Sequence, residues 1–280
     1  MKTLFKNILF IFIATALTHC SKDDTQPPVQ NWVPVPDSTF EALLVARNID
    51  TDGQVNGRIT KADAQAVTRL IMDDESLTDL TGIEAFTNLI ELDCSDNNLT
   101  SLDISENILL QKLDCNTNAL SSLNVDANTN LIELNCSDNN LTSIDISNNI
   151  SLTSFVCGSN TLNTIDLSNN TNLERLNLYN IGITTLDLSN NTNLIVVRVH
   201  KNNLTALDIS ANPNINYLFC SDNNLSSLNI KNGSNTNFIG MTFYAKLNPN
   251  LTSVCVDVVP PPASISNGVD IGVTFTTNCP

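Results

Sequence analysis

From residue 89 onward the apolar residues fall into a pattern that repeats every 21 positions. Cys94, Cys115, Cys136 and Cys157 stand 21 apart, and the same count reaches Leu178, Val199, Cys220 and Met241. The unit reads LxxLxCxxNxLxxLDIxxNxx and begins at Leu89, Leu110, Leu131, Leu152, Leu173, Leu194 and Ile215. A 22-residue variant precedes it from Val67, and a shortened 15-residue turn is read from Thr236 to Asn250, with a closing half-turn at LTSVCVD. Inside the unit, apolar positions 4 and 6 alternate with outward positions 3, 5 and 7, the period of a strand. Positions 14 and 16 repeat the alternation and predict a second short strand on another side of each turn. One turn alone cannot bury its leucines, whereas stacked turns share a continuous core.

Two polar columns accompany the leucines. Position 9 is Asn97, Asn118, Asn139, Asn160, Asn202 and Asn223, broken by Ile181, and position 19 is Asn107, Asn128, Asn149, Asn170, Asn191 and Asn212. An inward amide there can bond backbone groups that a bend leaves unpaired, so both columns are expected to be structural. The cysteines of position 6 share their column with Leu178, Val199 and Met241, so they are read as small apolar fillers. A straight column does not surround a metal. Adjacent parallel strands lie ~4.8 Å apart, but their near-parallel Cβ atoms stay beyond the ~3.8 Å of a disulfide, and free thiols are expected.

The unit resembles a leucine-rich repeat of the bacterial 21-residue kind, in which "LDIS-N" imitates "LxCS-N". The 22-residue opening turn resembles the repeats of internalins. The resemblance covers roughly residues 67–256 and implies a leucine-rich repeat solenoid, mainly short parallel β-strands, with an exposed binding face. The solenoid is placed at 67–254 and a C-terminal cap at 255–280. Solenoids need their open ends covered, and Cys255 and Cys279 lie outside the repeat phase. That tail resembles the closing segment of related repeat lipoproteins, and a Cys255–Cys279 bridge is expected in it.

Lys2, Lys6 and the apolar run from Ile8 to Leu17 read as a secretory signal over 1–19, the run being too short to span a bilayer. The signal ends in "LTHC", which resembles a bacterial lipobox and implies acylation of Cys20, with membrane anchoring through its lipid. His19 departs from the usual lipobox. The following "SKDD" resembles the tag of surface lipoproteins in Bacteroidetes-type bacteria, implying the outer membrane or cell surface. Ordinary cleavage to a soluble periplasmic protein is the alternative. Residues 20–36, polar and proline-rich, read as a tether. Losing residues 1–19 moves the formal charge from −16 to −18. Such a balance argues against nucleic acid, which needs a basic patch.

Residues 37–66 read as a helix-loop-helix cap, with Asp37 or Ser38 opening the first helix and a Thr60–Asp63 box opening the second. The intervening "DGQVNGRITKAD" resembles an EF-hand or dockerin loop. The resemblance implies calcium ligands at Asp52, Gln54, Asn56, the Arg58 carbonyl and Asp63. Gln54 and Asp63 depart from that pattern, and the alternative is a helical hairpin that covers the first turn.

The outward positions carry what is left for function. Position 15 is a column of Asp103, Asn124, Asp145, Asp166, Asp187, Asp208 and Asn229, whose uniformity suggests structure. On the first strand, early turns show Glu91, Asp93, Lys112, Asp114, Glu133 and Asn135. Later turns show Arg175, Tyr179, Arg198, His200, Tyr217 and Phe219. Exposed arginines and aromatics are what interface centres favour. The alternative is a patch covered by the C-terminal tail. No nucleophile elbow, histidine-rich metal motif or phosphate loop is present, so catalysis has little material. The expectation is a monomeric surface lipoprotein that binds another protein and is not an enzyme; a glycan is the second candidate ligand and a hydrolase the last.

Overall fold

The structure, a computed structural model, describes residues 31–279. The expected signal 1–19, the lipidation cysteine Cys20 and most of the tether lie outside the described residues. Four short elements form the cap: β1 (Trp32–Pro34), α1 (Ser38–Ala46), β2 (Arg58–Thr60) and α2 (Lys61–Ala66). The end of the tether is therefore corrected, because β1 pairs antiparallel with β2 and Val33 and Val35 enter the core. Their alternation with Trp32 and Pro34 is a strand signal, and proline is tolerated on an edge.

Asp37 holds the cap in place. Its Oδ1 accepts the Thr39 and Phe40 amides at the start of α1, and its Oδ2 accepts from Thr78 and Asp79 in the first turn. Burial opposes its ionisation, yet the bonds from Phe40, Thr78 and Thr39 hold the carboxyl below its ordinary value. Thr60 caps α2 by accepting from Asp63 N and donating to the Asp63 carboxylate. The helix is shorter than "TKADAQAVTRLI" suggests, because Val67 is already extended.

Strands follow one per turn: β3 (Arg69–Ile71), β4 (Glu91–Asp93), β5 (Lys112–Asp114), β6 (Glu133–Asn135), β7 (Ser154–Val156), β8 (Arg175–Asn177) and β9 (Val196–Arg198). Then come β10 (Ala206–Asp208), β11 (Tyr217–Phe219), β12 (Ser227–Asn229), β13 (Phe243–Tyr244), β14 (Ser253–Cys255), α3 (Ala263–Asn267) and β15 (Thr274–Thr276). Nine strands, β3 to β9 with β11 and β13, form one sheet of parallel pairs. Leu92 faces Leu113 and Leu113 faces Leu134, so the repeat sets the register. The fold is a parallel β-solenoid of the leucine-rich repeat kind.

Position 9 explains how each bend is satisfied. Asn97 Nδ2 donates to the carbonyls of Met72, Cys94 and Ser95, while its Oδ1 accepts from Leu77 N at 2.8 Å. Each such amide reaches the preceding turn, so the column knits neighbours together; Asn139 and Asn223 repeat the arrangement. Position 8 beside it is left-handed in every turn, from Asp74 and Asp96 through Thr117 and Lys201 to Asp222. At position 19, Asn128 Nδ2 donates to Ile104 and Asn107.

Two sequence expectations change. The second strand per turn forms a ladder only near the end, as β10-β12-β14-β15. That ladder grows where the tail supplies an edge strand, beside the Cys255–Cys279 disulfide (Cα–Cα 5.5 Å). The last turn is also longer than the count allows, since Leu218 faces Phe243, 25 residues on. Residues around the 3-10 turn Asn235–Asn237 are inserted there, with Gly233 N and Asn235 N held by the Asp257 carboxylate. Ala245 therefore fills the inward position, and Met241 is 78% exposed rather than a core filler.

Candidate interaction face

The five cysteines of the inward column, Cys94, Cys115, Cys136, Cys157 and Cys220, are buried free thiols. Burial pushes the Cys94 thiol far up and the Cys220 thiol up to about 12. A thiol held protonated is neither a nucleophile nor a metal ligand, so the column is core.

In the cap loop, Asp52 and Asn56 meet, the Asn56 amide donating to Asp52 Oδ2 at 2.8 Å. Gln54 bonds through its backbone N–H to Asp52 Oδ1. Asp63 turns instead to Thr51 and Thr60, and the Arg58 guanidinium lies 5.7 Å from the Trp32 ring. The loop amides of Asn56, Gly57 and Arg58 all converge on the carboxylate of Glu41, a residue that is itself buried. Of the named five, Asp52 and Asn56 are thus in direct contact and Asp63 is engaged by threonines, and no group of three His, Cys, Asp or Glu side chains able to hold a metal occurs among the described residues. One oxygen is left over: Asp50, 2% exposed, has Oδ2 without a partner. Burial, with Asp52, Asp63 and Glu41 nearby, pushes its carboxyl up.

Position 15 is a column of Asx turns. Asp103, Asp145, Asp166 and Asp187 each accept the amide two residues on, and Asn124 does the same without a charge. Those bonds hold the four carboxyls below their ordinary values. Aspartate and asparagine exchange there because the turn needs an oxygen acceptor.

The nine-stranded sheet carries the remaining chemistry on its outward positions. In its first half the charges are paired, Arg69 with Glu91 at 2.7 Å and Lys112 with Glu133 at 2.8 Å. A shallow polar depression runs over these strands, lined by Glu91, Asp93, Lys112, Asp114 and Glu133. In the second half, rings from successive strands touch. Tyr179 stacks on His200 (5.4 Å, 11°), His200 meets Phe219 edge-on, and Phe219 lies against Tyr217 and Tyr244 at 5.2 and 4.2 Å. The Arg198 guanidinium sits 5.0 Å from the Tyr217 ring centroid. All six residues singled out from sequence lie on β8, β9, β11 or the positions just after them; Arg175 and Arg198 are exposed and the rings half-buried. The tail's last strand β15 pairs with β14 in the other sheet, whereas its α3 segment abuts β13 at the edge of the patch, where Gly268 O accepts from Ala245 N.

Two residues of this patch escape sequence reasoning. Tyr244 joins it through the 25-residue register that a 21-residue count cannot foresee. Gly158 is the other: its φ is ordinary, but a Cβ built there would fall inside the Tyr179 ring. The ring lies across β7 toward Asp138, to which its hydroxyl donates at 3.0 Å. A glycine at position 7 just before a tyrosine at the same position was the available signal. His200 is held below its ordinary pKa by burial, then by Lys201 and Arg198, against a smaller pull from Asp222.

No protein-family model matches the chain. Over 124 residues, 38% of this chain, it is 35% identical to internalin J of Listeria monocytogenes serotype 4b (strain F2365) and spans 13% of that protein. It superposes on the functional domain of internalin J from Listeria monocytogenes, which includes a cysteine ladder, with a TM-score of 0.70 and 34% identity. That match covers 80% of this chain and 52% of the solved domain. Internalin C2 from Listeria monocytogenes strain 4b F2365 shares the fold, with a TM-score of 0.61 and 20% identity over 89% of this chain and 99% of that one. The chain is internalin-like in its repeats, and it spans about half of the solved internalin J domain and far less of the full-length relative.

Proposed function

We propose that this chain is a binding module and not an enzyme, and that it engages a protein through the second half of the nine-stranded sheet. The contact centre is Arg175, Tyr179, Arg198, His200, Tyr217 and Phe219, with Tyr244 and Gly158 completing it. The observation that carries the reading is the continuous ring cluster with Arg198 at Tyr217, fixed on a rigid sheet. Rings and arginine at the middle of a patch supply most of an interface's binding energy. A glycan ligand is the weaker reading, because sugars stack on free ring faces. Here Tyr179 is packed between Gly158 and His200, and Tyr217 is engaged by Arg198 and Phe219.

The test is retention of a protein from a cell-surface extract by the immobilised chain, alongside a glycan array. Tyr217→Ala with Phe219→Ala is expected to abolish retention. Equal retention by the double variant rejects the site, and a glycan hit without a protein partner rejects the reading.

The module is placed on a bacterial cell surface, anchored through acylated Cys20. The lipobox-like sequence supports that placement, and Cys20→Ser is expected to move the protein from the membrane fraction to the soluble one. Calcium at the 52–63 loop belongs to the same proposal, supported by the orphaned Asp50 oxygen beside the loop rather than by a gathered ligand set. A calcium titration that releases heat, and fails with Asp50→Asn, is the expected result; a flat titration removes calcium from the account.

A further inference from the structure

Charges on the outward positions of the nine-stranded sheet are sorted along its length. From β3 to β6 acids predominate and the bases among them are paired, Arg69 with Glu91 and Lys112 with Glu133. From β8 to β13 the same positions carry Arg175, Arg198 and, just past β13, Lys246, with no carboxylate among them. Neither arginine has an acid within ion-pair distance among the described residues. In a chain of 29 acids and 13 bases, two exposed guanidiniums without a carboxylate stand out. Acids border the patch: Glu174 precedes Arg175 in the chain, Asp138 takes the Tyr179 hydroxyl, and Asp222 acts on His200.

The rings add to the same preference. An aromatic ring is negative on its face and positive at its edge. Here faces meet faces, Tyr179 on His200 and Tyr217 on Phe219, so the edges are what remain for a partner. Arg198 is pre-positioned at Tyr217, which lowers the ordering cost of using it. Asn177 Oδ1 and His200 Nδ1, both within the patch, are shielded and lack hydrogen-bond partners.

We infer that the partner presents carboxylates to this patch: an acidic, extended protein segment whose Asp or Glu side chains are received by Arg175 and Arg198. The inference rests on the protein-binding reading above. A guanidinium fork matches a carboxylate bidentately, which favours recognition by geometry as well as charge. The ring edges of Tyr179, Tyr217 and Phe219 take the residues between the acids. Nucleic acid fits less well, since two arginines on a chain of charge −16 do not make a phosphate-tracking stripe.

The probe is a ten-residue peptide alternating glutamate and valine, titrated into the full chain at moderate salt. A glutamine–valine peptide and an oligogalacturonate of equal charge serve as comparisons. The glutamate peptide is expected to bind in spite of the like net charge. Arg175→Gln with Arg198→Gln is expected to weaken it about tenfold or more, with unchanged melting. No binding, equal binding of the glutamine peptide, tighter binding of the oligogalacturonate, or indifference to the arginine substitutions each overturns the inference. If the captured protein partner is lost with Tyr217→Ala/Phe219→Ala but kept by the arginine pair, the function above stands and this inference fails.

Discussion

Strands β4 to β6 and strands β8, β9 and β11 are built on one turn and one set of inward leucines, yet their outward faces follow different rules. In the first group acids predominate and every base on the face is paired across strands with one of them. In the second, rings pack together and the arginines are left without acids. The inward columns keep their places while their residues vary: Cys94, Cys136 and Leu178 occupy equivalent positions, Asn97 and Asn223 make equivalent bonds, and Ile181 alone interrupts the asparagine column. The difference shows that the scaffold leaves its outward residues free to vary, as a solenoid of stacked units permits.

The largest way to break the comparison is to cut the scaffold between its halves. Asn139 stands in the turn of β6, and Asn139→Leu would leave Leu120 N without its partner, while the Cys115 carbonyl would keep only Asn118 Nδ2. A buried orphan costs about 1–3 kcal/mol, so a loss of that order is expected. Because stability in a solenoid is nearly a sum over neighbours, denaturant unfolding should split into two transitions, one for each half. A single unshifted transition would contradict the role given to the column. Gly158→Ala comes next. The new methyl must displace the Tyr179 ring, and overpacking of this kind costs about 1–3 kcal/mol. Loss of the Tyr179–Asp138 bond should appear as a moved Tyr179 ring resonance, with the β4–β6 face undisturbed.

Much of this was legible before any coordinates. Seven copies of the unit fix a period, and a period fixes strand placement, register and the roles of the cysteine and asparagine columns. The six patch residues were readable for the same reason, since outward positions follow from the phase. What failed was phase itself, at the last turn. There an insertion shifts Phe243 into register, exposing Met241 and bringing Tyr244 to the patch. The cap loop was only partly legible. Its residue types suit calcium, but that Glu41, 15 residues before Asn56, takes the loop amides is something one-dimensional spacing contains no sign of. Gly158 was visible as a letter and unreadable as a requirement, because the ring it accommodates comes from the following turn.

A smaller effect sharpens the electrostatic side of the contrast. His200, the histidine of the patch, is held below its ordinary pKa by burial and by the Lys201 and Arg198 charges. NMR titration should place its midpoint below the ordinary histidine value, and Arg198→Gln should raise it by removing one neighbouring positive charge. For a histidine with a depressed folded pKa, the unfolded chain takes up the proton first as the pH falls. Its contribution to stability is therefore complete above the unfolded value and declines as acid carries the pH down through the window beneath it. A midpoint that ignores Arg198 would mean that burial alone depresses it.

The smallest expected effect lies in the first half. Lys112 and Glu133 approach to 2.8 Å, but both side chains are 50% exposed. Solvent and salt screen such a pair, so it contributes little to stability. Lys112→Met should therefore leave the melting temperature nearly unchanged and further reduced in salt sensitivity. It should also leave binding at the aromatic patch unchanged, since the substitution lies three strands from β8. Loss of partner binding on Lys112→Met would erase the boundary between the halves, because it would show the paired charges taking part in the interface.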